Sequence, residues 1–190
     1  MLILLDMDGV LTDFERGFFE SWSALFPEHP PIAPEARRLH GLVDEYPAQH
    51  SAKVRQVYTA CGFFRSLQPM PGAIDGVRQL VALGHDVRIC TAPLTAYIYC
   101  VPEKYEWIDR YLGRKMVQRM ILTKAKTLVR GDILVDDKPE VTGACEPEWE
   151  HVLYDQPFNR HLPARRMTWQ SWQEVLVDPA LTADSVTLSR

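Results

Sequence analysis

Short runs of apolar residues recur along the chain and limit its fold class more than any other feature. A strand that is buried on both faces of a parallel sheet has a nearly continuous apolar run, whereas a half-exposed strand alternates apolar and polar residues. Runs of the continuous type occur at residues 2–5 (LILL), 85–90 (HDVRIC), 119–122 (RMIL), 132–135 (DILV) and 151–154 (HVLY). These runs predict a buried parallel sheet.

Stretches with helical spacing lie between and after these runs. In residues 72–83 the apolar side chains form one helical stripe, with Pro71 before it and Gly84 after it, as expected at a helix start and end. Residues 103–112 and 170–177 repeat the pattern. Because strands and helices alternate, we predict an α/β fold with a doubly wound parallel sheet.

Residues 14–70 interrupt this alternation. They contain two aromatic-rich helical stretches, 15–26 and 48–60, around a proline-rich turn, and no apolar run typical of a strand. We therefore predict a helical cap at 14–70, inserted after the first strand into a core formed by residues 1–13 and 71–190. Asp13 is expected to cap or orient the segment that enters the cap, and metal binding is the alternative.

Charge and composition argue against several classes of protein. The net charge of −4 does not favour binding to a nucleic acid polymer, which usually needs a clustered basic surface. No apolar run approaches the length of a membrane span, and no leader segment is visible. The four cysteines form no C-x-x-C pair, so we expect neither a disulfide framework nor a zinc site. We expect a cytoplasmic protein.

Acidic pairs follow two of the predicted strands. Asp6 closes the first strand and Asp8 follows after one residue, so both carboxylates can face one site. Asp136 and Asp137 follow the run at 132–135. Reactive groups in an open parallel sheet gather at the carboxyl ends of the strands. We therefore expect the two pairs to lie close together.

Other strand ends supply a hydroxyl and ammonium groups. Thr91 follows the run at 85–90, and Lys124 and Lys126 follow the run at 119–122. Acids, a hydroxyl and lysines together suit phosphate and Mg²⁺, which prefers oxygen ligands. A carboxylate that attacks a phosphate dianion meets a repulsion of roughly 4 kcal/mol at an effective dielectric constant of about 20, which a divalent ion and a lysine offset.

In this order the residues resemble the four signature motifs of the haloacid dehalogenase superfamily of phosphohydrolases. These motifs are D-x-D-G-V/T-L-x-D at the first strand, Thr or Ser after the second, a lysine, and a final D-D. The chain has DMDGVLTD at 6–13, then Thr91, Lys126, and Asp136-Asp137. The resemblance implies a haloacid dehalogenase-like core and hydrolysis through an aspartyl-phosphate.

A narrower resemblance covers nearly the whole chain, including the cap. Its matching stretches are LDMDGVLTDFE (5–15), ICTAP (89–93), EKYEWIDRYLG (103–113), ILTKAKT (121–127), DILVDDKPE (132–140), PEWEHVLY (147–154) and NRHL (159–162). They are similar to those of the 5′(3′)-deoxyribonucleotidases of the cytosolic and mitochondrial types. This implies a small-molecule nucleotide substrate and, since such enzymes tend to dimerise, a homodimer.

The resemblance also implies roles for the acidic residues. Asp6 would be the nucleophile, while Asp8 would protonate the leaving oxygen and then activate water. Mg²⁺ would lie between the carboxylates of Asp6 and Asp137 and the backbone carbonyl of Asp8. Asp136 would hold a metal-bound water or Lys126.

Phosphate contacts are implied for Thr91, for backbone N–H groups near it, and for Lys126. Ala92 stands where the family has serine, which removes one hydroxyl contact. Lys104 is a further candidate neighbour of the phosphate, although a solvated charge on a helix is the alternative.

Aromatic side chains of the cap are expected to select the substrate. Phe14 and Tyr58 match positions that stack on the nucleobase in the resembled family, and such stacking contributes about 1–3 kcal/mol. Ordinary helix packing is the alternative for Tyr58. The family's RRGF is replaced by Arg37-Arg38-Leu39-His40-Gly41, so His40 stands at a stacking position and leaves the preferred base open.

We therefore predict a Mg²⁺-dependent phosphomonoesterase that acts on (deoxy)ribonucleoside 5′- or 3′-monophosphates. One alternative is the same chemistry on another small phosphomonoester, such as a sugar phosphate. A second is a phospho-accepting, receiver-like signalling domain, which uses similar groups but lacks a large insertion after its first strand. The presence of both Asp6 and Asp8 argues against an inactive metal-binding scaffold.

Overall fold

The computed structural model describes residues 1–177, and within them six strands form one sheet in the order β3-β2-β1-β4-β5-β6. All neighbouring strands are parallel. The strands are β1 (Leu2–Leu5), β2 (Asp86–Thr91), β3 (Met120–Leu122), β4 (Ile133–Asp136), β5 (Glu150–Tyr154) and β6 (Arg166–Met167). This is the strand order of doubly wound folds, in which ligands bind where the order reverses, here between β1 and β4. The predicted α/β class is confirmed.

The sheet is buried on both faces. Ile3 and Leu5 of β1 belong to the main apolar cluster, whereas Leu4 packs in a smaller cluster with Leu134 and Cys90. Successive residues of a strand point to opposite faces, so the continuous apolar run of β1 serves two cores.

Five of these strands coincide with the predicted apolar runs, with small shifts at their ends. Thr91 and Asp136 are the last residues of β2 and β4, not residues that follow them. The short strand β6 was missed because Arg166–Met167 has no apolar run, and it forms through parallel pairing with β5.

Helices connect the strands. They are α1 (Phe14–Leu25), α2 (Leu42–Glu45), α3 (Ser51–Tyr58), α4 (Phe63–Ser66), α5 (Ala73–Ala82), α6 (Cys100–Leu112), α7 (Arg114–Val117) and α8 (Trp172–Leu176). The helix predicted at 48–60 is shorter because Ala48–His50 forms a 3₁₀ turn, and the helix predicted at 103–112 begins earlier, at Cys100. No helix of the described residues is long and apolar enough to cross a membrane.

The two ends of the segment between β1 and α5 lie side by side and are joined by backbone hydrogen bonds. The backbone N–H of Asp13 donates to the carbonyl of Gln68 at 2.8 Å, and that of Met70 donates to Leu11 at 2.8 Å. The Asp13 carboxylate accepts from the N–H of Arg16, which confirms its expected capping role.

The predicted division into a cap at 14–70 and a core at 1–13 and 71–190 stays a prediction. Residues from Asp178 onward lie outside the described part of the chain.

Trp169 links helix α5 to the loop that follows β1. Its indole N–H donates to the carbonyl of Val10 at 2.7 Å, and its ring covers Gly76 of α5. A Cβ at Gly76 would lie 2.4 Å from the Trp169 ring. Helix α5 therefore needs glycine there to approach the indole.

We expect Gly76→Ala to destabilise the protein. Alanine favours a helix over glycine by about 1 kcal/mol, but displacing a packed indole costs about 1–3 kcal/mol. The free energy of unfolding, measured with denaturant, should fall, whereas Gln79→Ala at an exposed position of α5 should leave it nearly unchanged. Increased stability of Gly76→Ala would contradict the packing argument.

Candidate active site

Three carboxylates meet where β1 and β4 end. The N–H of Asp6 donates to the carbonyl of Val135 at 2.9 Å, which aligns the two strand ends. Carboxylate oxygens of Asp6, Asp136 and Asp137 all lie within 4.8 Å of one another. The structure thus brings together acidic residues from the two predicted pairs.

Lys126 lies among these acids. It belongs to a 3₁₀ turn after β3, and its ammonium lies 2.6 Å from Asp136 Oδ2 and 2.8 Å from Asp6 Oδ1. Burial would raise the pKa of Asp6, but the nearby Lys126 and Lys104 outweigh burial and lower it. Asp136 also accepts from the N–H of Lys138 through its other oxygen. Asp136 therefore holds the lysine, one of its two expected roles.

The donor set fits a divalent cation. Asp6 Oδ1 is buried and lies 2.8 Å from the Lys126 ammonium, and among the described residues it has no further hydrogen-bond donor. Burial, followed by repulsion from Asp136 and Asp6, raises the pKa of Asp137 to about 7, although His40 partly opposes the shift. Carboxylates that are this crowded gain from a hard cation among them.

Gly9 allows the two acidic loops to approach each other. Its φ of +75° is a conformation that favours glycine, and a Cβ on it would lie 1.9 Å from Asp137 Oδ2. A side chain at this position would therefore displace Asp137.

Lys104 pairs with the remaining acid. It is fully buried, and its Nζ donates to Asp8 Oδ2 at 2.6 Å and to Thr91 Oγ1 at 2.8 Å. The alternative of a solvated charge is therefore wrong for Lys104. Burial raises the pKa of Asp8, and Lys104 only partly offsets that effect. The Asp8 side chain is outside the three-carboxylate cluster, so only its backbone carbonyl remains as the implied metal ligand.

A cavity of about 610 Å³ opens above the acids. Asp6, Asp8 and Asp137 line its polar end. Five other residues that were predicted from the sequence also line it, namely Phe14, His40, Tyr58, Thr91 and Ala92. Phe64 and Lys124 were not predicted as lining residues, although the cap contains other aromatic residues and Lys124 is close to Lys126 in sequence.

Comparison with known proteins agrees with this geometry. Residues 1–182 match the sequence model of the family described as 5′ nucleotidase, deoxy (pyrimidine), cytosolic type C protein. The chain belongs to this family. It is accordingly a hydrolase that acts on phosphoric monoesters.

Relatives of this nucleotidase cover most of its length. The human protein named 5′(3′)-deoxyribonucleotidase, cytosolic type, is 46% identical over 185 residues, which are 92% of each chain. The human mitochondrial 5′(3′)-deoxyribonucleotidase is 40% identical over 92% of this chain and 81% of that protein. A Bordetella pertussis protein provisionally named 5′(3′)-deoxyribonucleotidase is 47% identical over 97% of this chain and all of that protein.

A solved structure supports the same fold. The haloacid dehalogenase (HAD) family hydrolase from Deinococcus radiodurans, solved with bound phosphate and sodium, superimposes with a TM-score of 0.60. It is 15% identical, and the match covers 99% of this chain and 97% of that chain. At this identity the similarity establishes the fold alone.

A buried arginine presents His40 to the nucleotidase cavity. Arg37 pairs with Glu15 and donates from Nη2 to the carbonyls of Leu39 at 2.7 Å and His40 at 3.1 Å. His40 Nε2 then lies 3.7 Å from Asp137 Oδ1. Burial would lower the pKa of His40, but the nearby Asp137 carboxylate raises it. His40 therefore faces an acid as well as the cavity.

Two amide side chains, absent from the predicted site, hold the backbone of the acidic loops. Gln156 donates to the carbonyl of Gly9 at 2.8 Å, and Asn159 donates to the carbonyls of Asp137 at 2.8 Å and Tyr154 at 2.9 Å. Both amides are buried. Asn159 lies in the matching stretch NRHL, but its donation to Asp137 could not be read from the sequence.

We expect Asn159→Asp to weaken metal binding. The change keeps the shape but replaces the donating amide with an oxygen that faces two carbonyls, so the Asp137 loop should shift. The loss of a buried hydrogen bond of this kind costs about 1–3 kcal/mol, which corresponds to roughly a ten-fold higher Kd for Mg²⁺ in calorimetric titration. Gln173→Glu, an amide-to-acid change on the exposed face of α8, is the matched control. Equal Mg²⁺ affinity in both variants would contradict this role.

Proposed function

We propose that this nucleotidase uses Mg²⁺ to hydrolyse deoxyribonucleoside 5′- or 3′-monophosphates to nucleoside and phosphate. The observation that carries the proposal is the position of the Asp6 carboxylate, which is paired with the Lys126 ammonium and lines the polar end of a cavity with aromatic walls. Family membership and the names of the human relatives support the nucleotide as substrate.

Asp6 and Asp137 are the proposed side-chain ligands of Mg²⁺, with the backbone carbonyl of Asp8. Asp136 is less available because both of its oxygens already accept hydrogen bonds. When bound, Mg²⁺ supplies positive charge that offsets the repulsion between carboxylate and phosphate.

In the proposed first step an Asp6 oxygen attacks phosphorus, and the bond from phosphorus to the sugar oxygen breaks. Asp8 donates its proton to that oxygen, which leaves as a nucleoside hydroxyl. Water then attacks the phosphorus of the aspartyl-phosphate while Asp8 accepts a proton from it, which releases phosphate and restores Asp6. The raised pKa of Asp8 supports this role, because a protonated acid is needed at the start.

The proposed phosphate contacts come from Thr91, the backbone at Ala92, and Lys126. Lys104 donates to both Asp8 and Thr91, so it can orient the acid beside the phosphate. Phe14 and Tyr58 are the proposed base contacts, with His40 at the boundary between base and phosphate, since all three line the cavity.

Two further features stay proposals. We place the enzyme in the cytoplasm, in line with the cytosolic type of the human relative. A homodimer, implied by the resemblance, is proposed without a defined interface. Neither a nucleic acid polymer nor a membrane is among the proposed partners.

The proposal is tested by comparing phosphate release from deoxyribonucleotides, ribonucleotides and sugar phosphates at saturating Mg²⁺. Because base stacking contributes about 1–3 kcal/mol, kcat/KM for the best deoxyribonucleotide should exceed that for a sugar phosphate by about ten-fold or more. Comparable values for all esters would favour a phosphatase of another small phosphomonoester. Stable phosphorylation without turnover would favour a receiver-like signalling domain.

Asp6→Asn should abolish phosphatase activity, with kcat falling by roughly 10⁴-fold or more, because the neutral amide is a poor nucleophile. No phosphorylated protein should be trapped after acid quench. Asp75→Asn, on the exposed surface of α5, is the control and should retain full activity. Retained turnover in Asp6→Asn would refute covalent catalysis by this residue.

A further inference from the structure

Glu103 is a buried acid of α6 whose hydrogen bonds all come from groups outside the catalytic cluster. Its side chain is 2% exposed. Its Oε1 accepts from the N–H of Gly62 at 2.6 Å and the hydroxyl of Tyr97 at 2.7 Å, and its Oε2 accepts from the N–H of Phe64 at 3.0 Å. Arg65 lies 3.7 Å away. The carboxylate therefore binds two backbone groups at the start of α4.

The same face of α6 also binds the backbone at Arg65 and Leu67, which lie in α4 and directly after it. The indole N–H of Trp107 donates to the carbonyl of Leu67 at 2.7 Å, and Arg110 donates to the carbonyl of Arg65 at 3.4 Å. Residues four and seven positions after Glu103 lie on its side of the helix. Glu103 is the member of this row that binds the backbone of Phe64, whose side chain lines the cavity.

The neighbouring residue on α6 faces the catalytic acids. Lys104 donates to Asp8 and Thr91, and its Nζ also lies 5.4 Å from the centre of the Phe64 ring. Phe64 stacks on Tyr97, with ring centres 6.3 Å apart. One turn of α6 therefore contacts both Phe64, in the aromatic wall of the cavity, and the pair Asp8 and Thr91 at its polar end, which is called the phosphate end below.

We propose that Glu103 is a positioning residue that sets the distance between the aromatic wall at Phe64 and the phosphate end at Asp8 and Thr91. It thereby lets contacts with the nucleobase contribute to catalysis, without itself touching the substrate. This inference rests on the proposed nucleotide substrate. Beyond that function, the inference assigns to Glu103 a part in the preference for a nucleotide over the corresponding sugar phosphate.

The test compares a deoxyribonucleoside 5′-monophosphate with 2-deoxyribose 5-phosphate, which has no base. Glu103→Gln keeps the shape but sets an amide N–H against one of its present donors, so one backbone N–H of α4 loses its acceptor. We expect kcat/KM for the nucleotide to fall by about ten-fold, while that for the sugar phosphate changes less than about two-fold. Tyr97→Phe, which removes one donor, should shift the same ratio in the same direction by a smaller factor.

Glu106→Gln is the matched control on the same helix. Glu106 is 52% exposed and pairs with Arg65 at 3.2 Å, so its neutralisation should leave both substrates unaffected. Equal losses on both substrates, or no loss on either, in Glu103→Gln and Tyr97→Phe would overturn the role of Glu103.

Hydrogen exchange gives a second readout, which needs no substrate. In Glu103→Gln the amides of 62–66 should exchange faster, while those of the central sheet remain protected; unchanged exchange at 62–66 would overturn the proposal. A failure of the nucleotide assignment is distinguishable, because wild-type enzyme would then hydrolyse both esters equally well. That result would refute the assignment and, with it, the role of Glu103 in base selection.

Discussion

Two buried lysines allow four carboxylates to occupy one small volume, and the site depends on this balance of charge. Lys126 pairs with both Asp6 and Asp136, and Lys104 pairs with Asp8. Isolated buried carboxylates would be costly and would take up protons. Compensation is incomplete at Asp137, where burial raises the pKa to about 7. The remaining negative charge is suited to a divalent cation and, through it, to a phosphate ester.

Neutral groups set the positions of the charged ones. Trp169, Gln156 and Asn159 each donate to a backbone carbonyl of an acidic loop, at Val10, Gly9 and Asp137 respectively. These donors add no charge to the site, so they can orient the acids without changing their balance with the lysines. The same division of roles applies between β1 and α5, where Arg37 and Glu15 neutralise each other while Arg37 orients the loop of His40.

Much of the fold could be predicted because burial on both faces leaves a local mark. The runs at 2–5, 85–90, 119–122, 132–135 and 151–154 all became strands of the parallel sheet. β6 was missed because its pairing with β5, not its own composition, makes it a strand. Between β1 and α5, the 3₁₀ turn before α3 shortened a predicted helix, since helix ends depend on local backbone geometry that apolar spacing does not report.

By itself, the sequence determined the chemistry at the strand ends: acids after β1 and at the end of β4, a hydroxyl at the end of β2, and a lysine after β3. This was possible because parallel strands bring their carboxyl ends to one edge whatever the details of packing. Only the tertiary structure decided that Lys104 pairs with Asp8, that Asn159 holds Asp137, and that Glu103 binds the start of α4. Those contacts join residues far apart in the chain, and their geometry depends on how helices and loops pack, for which sequence spacing provides no local signal.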